Sequence, residues 1–411
     1  MVAFLCVFTI RGLHSVLTGP GDFAGYVAVG ELVLQGEDIY QLRLNTWPPV
    51  YSVLFVPFAL LARIDLRLAA AVWLGLSVVF FYGALALTLR LVYSERLGLS
   101  GGDGVVGVAS VTALAPIVLT HRFIHANFGH LQINILILLL SLLGCVWLTR
   151  RRSFAGGAII GIAAAIKVFP IFLFPYLAWK RWWRAFAAAV LAGGLLSLSP
   201  LLVFGFGRFW RYVHAWFVVW QAEPLYSWRN QSVVGMLGRL DHGLRGVPHA
   251  ADSLATLGLV AWIGLAVSAG LFAAAFVFTG RSPDRDPTVP TVPVEFAIVL
   301  VAAVLFVPRS FIYYFVFLLP ANAVLWRAVT GDYEMSHSTR RIIRWLLVAS
   351  FILGSLTSEF LLGEQLSVAI KSFSGVTVAA ILALVGLFIV REQLARRSWG
   401  LLSYQRLTPY R

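Results

Sequence analysis

Ten apolar runs separated by short polar breaks dominate the chain: residues 2–17, 68–92, 104–120, 131–149, 185–204, 253–279, 293–308, 311–326, 342–360 and 372–390. Most approach the roughly 20 residues that an α-helix needs to cross a bilayer. The first run lacks a basic leader and an Ala-x-Ala-like site, so no cleavable signal peptide is expected there. It also holds Arg11 and His14, and reads as a weak span whose helix starts upstream.

One stretch departs from the pattern. Residues 153–180, SFAGGAIIGIAAAIKVFPIFLFPYLAWK, lie between two basic clusters, Arg150 to Arg152 on one side and Lys180, Arg181 and Arg184 on the other. A single crossing would separate the clusters, whereas a hairpin keeps them together. Each half then has about 12–13 residues, ~18–20 Å of helix, short of the ~30 Å hydrocarbon core. The segment is therefore predicted to be two short helices meeting inside the protein, with Lys167 near the tip. The fold class is all-α polytopic membrane protein, with about twelve transmembrane or partial helices.

Two stretches read as helices outside the spans. Residues 21–36 place Phe23, Tyr26, Val27, Val29, Leu32 and Val33 at helical spacing, as in a helix lying at an interface. Residues 47–63 open on Pro48 and Pro49, suited to a helix N-terminus. Arg63, Asp65 and Arg67 follow and place that stretch at the surface.

Composition agrees with this picture. Charged residues make up 12% of the chain, against about 25% in soluble domains, and the mean hydropathy is +0.85. The net charge of +14 comes from arginines scattered over short loops, which excludes a basic nucleic-acid-binding domain. Besides the clusters around residues 153–180, Arg90, Arg96, Arg281, Arg285, Arg340, Arg341, Arg344, Arg391, Arg396 and Arg397 mark alternate loops as cytoplasmic. Residues 18–67 and 205–252 then form two long extracytoplasmic loops of a single membrane domain spanning 1–411. Cys6 and Cys145 both sit in apolar runs and suggest neither a disulfide framework nor a metal site.

The candidate chemistry lies on the predicted outer side. Of the four acids in residues 18–40, Asp22 follows the first run directly in a Gly-Pro-Gly-Asp turn, while Glu31, Glu37 and Asp38 read as solvated charges. Asp22 suits a helix N-cap, a general base at the membrane surface, or both. Lys167 is either a snorkelling lysine or an interior cation facing an anion. Residues 121–134, HRFIHANFGHLQIN, concentrate polar groups between two spans; their three histidines are spaced by four and five with no acid nearby, a poor metal set. Residues 226–232, YSWRNQS, combine aromatics, Arg229 and the amides Asn230 and Gln231, a composition suited to sugars; Asn230 to Ser232 also match a glycosylation sequon. Residues 307–315, VPRSFIYYF, break two spans and bring Arg309 beside Tyr313 and Tyr314. One carboxylate, fixed cations and aromatic and amide groups, with no phosphate-binding loop, suit a lipid-phosphate donor better than a nucleotide one.

In order along the chain, these residues resemble glycosyltransferase family 87, polyprenol-phosphate-sugar-dependent membrane enzymes of the GT-C superfamily. The motifs are Asp22 with Tyr26, Gly36 with Tyr40, Trp47-Pro48-Pro49 with Pro57, Gly129 with Gln132 and Asn134, Gly161 with Lys167 and Pro170, and Asn230 to Ser232. The resemblance implies a GT-C-type bundle and Asp22 as catalytic base. Lys167, Arg309 and Arg229 are assigned to the donor phosphate, and Tyr26, Tyr40, Trp47, Gln132, Asn134, Asn230 and Gln231 to sugar or acceptor. It implies inverting transfer of a hexose, expected to be mannose, to a lipid-linked glycan or glycolipid, in the cell membrane with the site facing out. No cofactor and no metal are expected, and the partners are the polyprenyl-phosphate-sugar donor, the lipid or glycan acceptor and membrane lipids. Two departures stand out: Arg309, Tyr313 and Tyr314 occupy a place where the family often has a histidine, and His130 alters the Gly–Gln–Asn spacing. The alternatives are an arabinofuranosyltransferase using a pentose donor, and a lipid-linked sugar flippase or transporter.

Overall fold

The computed structural model describes residues 2–42, 45–98, 100–222, 224–245, 253–254, 257–280 and 290–407. Arg281 and Arg285, assigned above to a cytoplasmic loop, lie outside the described residues. The protein is an all-α membrane protein with almost no sheet. The chain opens with α1 (Val2–Thr18) and α2 (Asp22–Gln35), then the short α3 (Pro49–Leu54) and α4 (Val56–Ala62) and the long α5 (Leu66–Tyr93). Helices α2 to α4 agree with the two predicted non-spanning helices, and Glu31 of α2 is tied to Arg63 at 2.8 Å.

The predicted span 104–120 is shifted. Residues 96–98 and 105–107 pair as a small parallel ladder, and α6 runs from Val111 to Gly129. Ser110 sets that start by accepting the Ala113 N–H at 3.3 Å. The polar stretch 121–130 is thereby largely helical and not a loop between spans. Next come α7 (Asn134–Thr149) and α8 (Ser153–Ile166), a 3-10 turn at Phe169–Phe172 and α9 (Leu173–Trp179). This is the predicted hairpin, with Lys167 at the break.

Helix α8 packs between α7 and α10 (Trp183–Leu198). The glycine of the Gly161–Lys167 motif serves this packing: a Cβ at Gly161 would stand 2.2 Å from the Ala189 carbonyl oxygen. Small residues at such a crossing let helix backbones touch where apolar burial gives no preference between helix and lipid.

The second long loop is largely helical where it is described. Helix α11 (Leu201–Ala222) leaves α10 at a bend of 86°, and α12 (Val233–Arg245) follows. The remaining helices are α13 (Leu259–Gly280), α14 (Thr291–Phe306), α15 (Leu318–Thr330) after a 3-10 turn, α16 (His337–Phe351) running into a π turn, α17 (Glu359–Ser372) and α18 (Gly375–Leu407). By length and composition, the described residues contain four helices able to cross a membrane, or five if the bent α10–α11 pair counts as one. Helices such as α7 and α14, at 16 residues each, reach only about 24 Å. Helix α14 packs against α13, α15 and α18 and is buried from Val294 to Leu305.

Three charges assigned to the cytoplasmic side prove to be internal. Glu295 of α14 is fully buried and accepts from Arg391 of α18 at 2.8 and 3.1 Å. Lys180 lies 2.9 Å from its other oxygen, which also accepts the Tyr176 hydroxyl at 3.0 Å. The Thr279 carbonyl of α13 accepts from both cations. One carboxylate thus clamps four helical segments. The pattern could not show it, because charges at the ends of short helices look like loop charges. Glu295→Gln removes the counter-charge of two buried cations, and we expect the detergent-purified protein to lose about 3–5 kcal/mol of stability, read as a lowered melting temperature; an unchanged melt would refute the clamp.

Candidate functional site

The breaks between helices converge on a cavity of about 600 Å³. Its lining includes Asp22 at the start of α2, Trp47 and Pro48 before α3, and Gln132 between α6 and α7. Lys167 comes from the hairpin tip and Arg309 from the break after α14. Five of the sequence-derived candidates, Asp22, Trp47, Gln132, Lys167 and Arg309, therefore share one space.

Asp22 does not cap its helix. Gly21 holds the N-cap position at φ 53°, and no side-chain capping bond is made. That backbone suits glycine, and a Cβ there would also stand 3.1 Å from the His130 backbone. The turn frees the Asp22 carboxylate to accept the amide N–H of Gln132. Burial pushes the carboxyl above its usual value of 3.8, while His130, Lys167 and the Gln132 bond pull it partly back.

Gln132 is itself held. Its side-chain oxygen accepts the Tyr26 hydroxyl at 3.0 Å and the Asn134 amide at 3.4 Å. Asn134 also donates to Asn127 at 3.2 Å, and Asn127 donates to the Tyr313 carbonyl at 2.8 Å. A polar chain thus runs from Asp22 to the backbone beside Tyr313. Asn127, present in the polar stretch 121–134 but not singled out there, is a member of it.

The two cations are mounted differently. The Lys167 ammonium lies 4.6 Å from the ring centre of Tyr314 and 5.8 Å from that of Tyr313, within cation–π range. Arg309 donates to the Trp220 carbonyl and stacks 5.2 Å from that indole. With Asp22 ionised and Lys167 protonated, the three side chains sum to one positive charge facing the cavity.

Other candidates stand apart from the lining. Tyr26 is buried behind Gln132, edge-on to Trp47 at 4.8 Å. Tyr40 donates its hydroxyl to the Trp47 carbonyl at 2.6 Å and so positions the loop. Asn134, Asn230 and Gln231 are buried and paired within the protein. Arg229 is exposed and lies 5.3 Å over the ring of its neighbour Trp228. Asn230 uses its whole side chain: it donates to Leu225 and Pro308 carbonyls at 2.7 and 2.9 Å and accepts from Ser310 and Ser232 N–H groups at 2.8 and 3.1 Å. At 1% exposure it is inaccessible to a glycosylating enzyme. These amides sit beside broken backbone and are hydrogen-bonded to it or to another amide side chain.

The sequence reading missed the aromatic wall. Trp216, Phe217 and Trp220 of α11 line the cavity with Phe169 and Phe306. The available signal was the spacing of Trp216 and Trp220 by four, which a loop assignment for 205–252 hid. Asn230→Ala leaves the Leu225 carbonyl and the Ser310 and Ser232 N–H groups without partners, while the Pro308 carbonyl keeps the Ser232 hydroxyl. We expect a stability loss of several kcal/mol, from about 1–3 kcal/mol for each unsatisfied group, visible in thermal unfolding without any substrate; a residue that only touched sugar would leave the melt unchanged.

The sequence profile of glycosyltransferase family 87 matches residues 45–308. That range contains Trp47, Gln132 and Lys167; Arg309 and the tyrosine pair lie just after it, and Asp22 lies 23 residues before it. The chain is 26% identical over 264 residues, 62% of its length and 56% of the relative's, to a polyprenol-phosphate-mannose-dependent alpha-(1-2)-phosphatidylinositol pentamannoside mannosyltransferase of Mycobacterium tuberculosis (strain CDC 1551 / Oshkosh). It is 28% identical over 240 residues, 53% of its length and 51% of the relative's, to a polyprenol-phosphate-mannose-dependent alpha-(1-2)-phosphatidylinositol mannoside mannosyltransferase of Mycobacterium tuberculosis (strain ATCC 25618 / H37Rv). The chain spans about half the length of these curated relatives. With the profile covering well over half of its residues, the chain belongs to glycosyltransferase family 87.

Proposed function

We propose that this protein is a membrane glycosyltransferase that moves a hexose, mannose in the first instance, from a polyprenyl-phosphate carrier to a lipid-linked glycan or glycolipid on the extracytoplasmic face. The observation that carries the proposal is the meeting of Asp22, Lys167 and Arg309 in one aromatic-walled cavity. Family membership and the relatives' names support a polyprenol-phosphate-mannose donor.

In the proposed reaction Asp22 takes the proton of an acceptor hydroxyl as that oxygen attacks the anomeric carbon. The bond from that carbon to the phosphate oxygen breaks with its electron pair leaving on the phosphate, and the anomeric configuration inverts. Lys167 and Arg309 meet the charge that builds on the departing phosphate, the interaction expected to lower the barrier most. Gln132 aims the carboxylate, and Trp47, Trp216 and Trp220 offer ring faces for the sugar or the first isoprene units. No metal enters the proposal, because two fixed cations fill that electrostatic role.

The test supplies the purified chain with polyprenyl-phosphate-mannose and lipid acceptors. Asp22→Asn should cut transfer by about 10²–10⁴-fold while the melting temperature holds. Full activity in that variant would remove Asp22 as base, and transfer from an arabinose donor alone would make the enzyme a pentosyltransferase. The pH dependence follows from the raised carboxyl: only the ionised form accepts a proton, so kcat/KM should fall as pH drops through an inflection lying above 3.8. An acid limb at or below that value would argue against a desolvated base.

A further inference from the structure

A second cavity, of about 730 Å³, lies on another side of α11. Arg208, Arg211 and His214 recur every third residue along that side, and all three are exposed. The opposite wall is the turn after α2, with Gly36 and Asp38. Arg208 donates to the Gly36 carbonyl at 3.3 Å, and the Tyr212 hydroxyl donates to the Glu37 carbonyl at 3.2 Å, so the two walls are joined. Arg211 and His214 make no hydrogen bond or ion pair among the described residues.

Beyond a kink at Gly205 the same helix carries an apolar side open to the surroundings, with Phe206 74% and Phe217 49% exposed; Leu202, before the kink, is 91% exposed. Trp210, 48% exposed, sits at the edge of the cleft. The 86° bend from α10 turns α11 away from that helix's direction. An amphipathic helix with apolar and basic sides and a bordering tryptophan has the make-up of one lying in the headgroup region of a bilayer.

We propose that this cleft binds the headgroup of an anionic phospholipid. Arg208 and Arg211 hold the phosphate, and Leu202, Phe206 and Phe217 sit among acyl chains. Asp38 lines the cleft too and accepts the Tyr40 N–H at 2.9 Å. Two arginines outweigh it, and its carboxylate suits headgroup hydroxyls, so the ligand class is a phospholipid with a polyol headgroup. Because Trp216 and Trp220 on the neighbouring side of α11 line the first cavity, an occupied cleft also fixes that cavity's wall.

The cleft is tested by direct binding, which needs no turnover and so stands or falls apart from the proposed transfer. Full-length protein in neutral detergent is titrated with fluorescent phosphatidylglycerol and followed by anisotropy, with phosphatidylcholine and soluble glycerol phosphate as the other arms. We expect saturable binding of phosphatidylglycerol, weakened by salt, and little competition from either alternative. Arg211→Gln should weaken binding about fivefold and Arg208→Gln/Arg211→Gln further, while Arg211→Lys retains most of it. Arg211 is exposed and unbonded, so the single variant should fold normally. Equal binding by Arg211→Gln, or equal affinity for phosphatidylcholine, overturns the proposal; displacement by glycerol phosphate at matched concentration replaces the lipid with a soluble phosphate and overturns it as well.

Discussion

In an apolar medium every backbone N–H and C=O must find a partner inside the protein. A helix does this by itself, so a chain this hydrophobic is built of helices and can break them only where side chains take over. The break after α14 shows how. Pro308 offers its carbonyl to Asn230 at 2.9 Å and to Ser232 at 2.8 Å, and the Ser310 carbonyl accepts the Gln231 N–H at 2.7 Å. Between α6 and α7, Trp73 donates to the Leu131 carbonyl at 2.9 Å. The breaks at residues 130–133, 167–168 and 307–311 border one cavity, so the constraint on the backbone also decides where reactive side chains can gather.

Charge follows the same logic at two depths. Around Glu295, one carboxylate answers Arg391 and Lys180, and the buried ensemble carries one positive charge. Around Asp22, a half-buried carboxylate faces Lys167 and Arg309 across open space, again with one positive charge in excess. The first arrangement is closed by protein atoms and holds helices together. The second is open and has room for an anion. That contrast, rather than the residue types, distinguishes a structural ion cluster from a candidate phosphate site.

Much of the local structure was legible in the chain. The apolar runs gave most helices, and paired basic clusters around residues 153–180 gave the hairpin with Lys167 at its break, since a charge balance is a local property. The chain was ambiguous where the signal was shared by two outcomes. The aromatic and basic residues of 205–222 read as a loop because their helical spacing serves three surroundings at once, the cavity, the cleft and the exposed apolar side. Asn230, Gln231 and Asn134 read as sugar contacts because an amide that satisfies broken backbone and one that binds hydroxyls are the same residue.

The sequence by itself determined that the protein is helical and membrane-borne, and it singled out Asp22, Lys167 and Arg309 as groups needing explanation. Composition and periodicity carry that information, since burial of apolar helices depends on residues a few positions apart. Only the tertiary structure decided that Asp22 turns away from its helix toward Gln132, 110 positions on, and that Glu295 is a clamp. Those outcomes rest on contacts between residues distant in sequence, where the identity of a side chain sets what it can do and its neighbours set what it does.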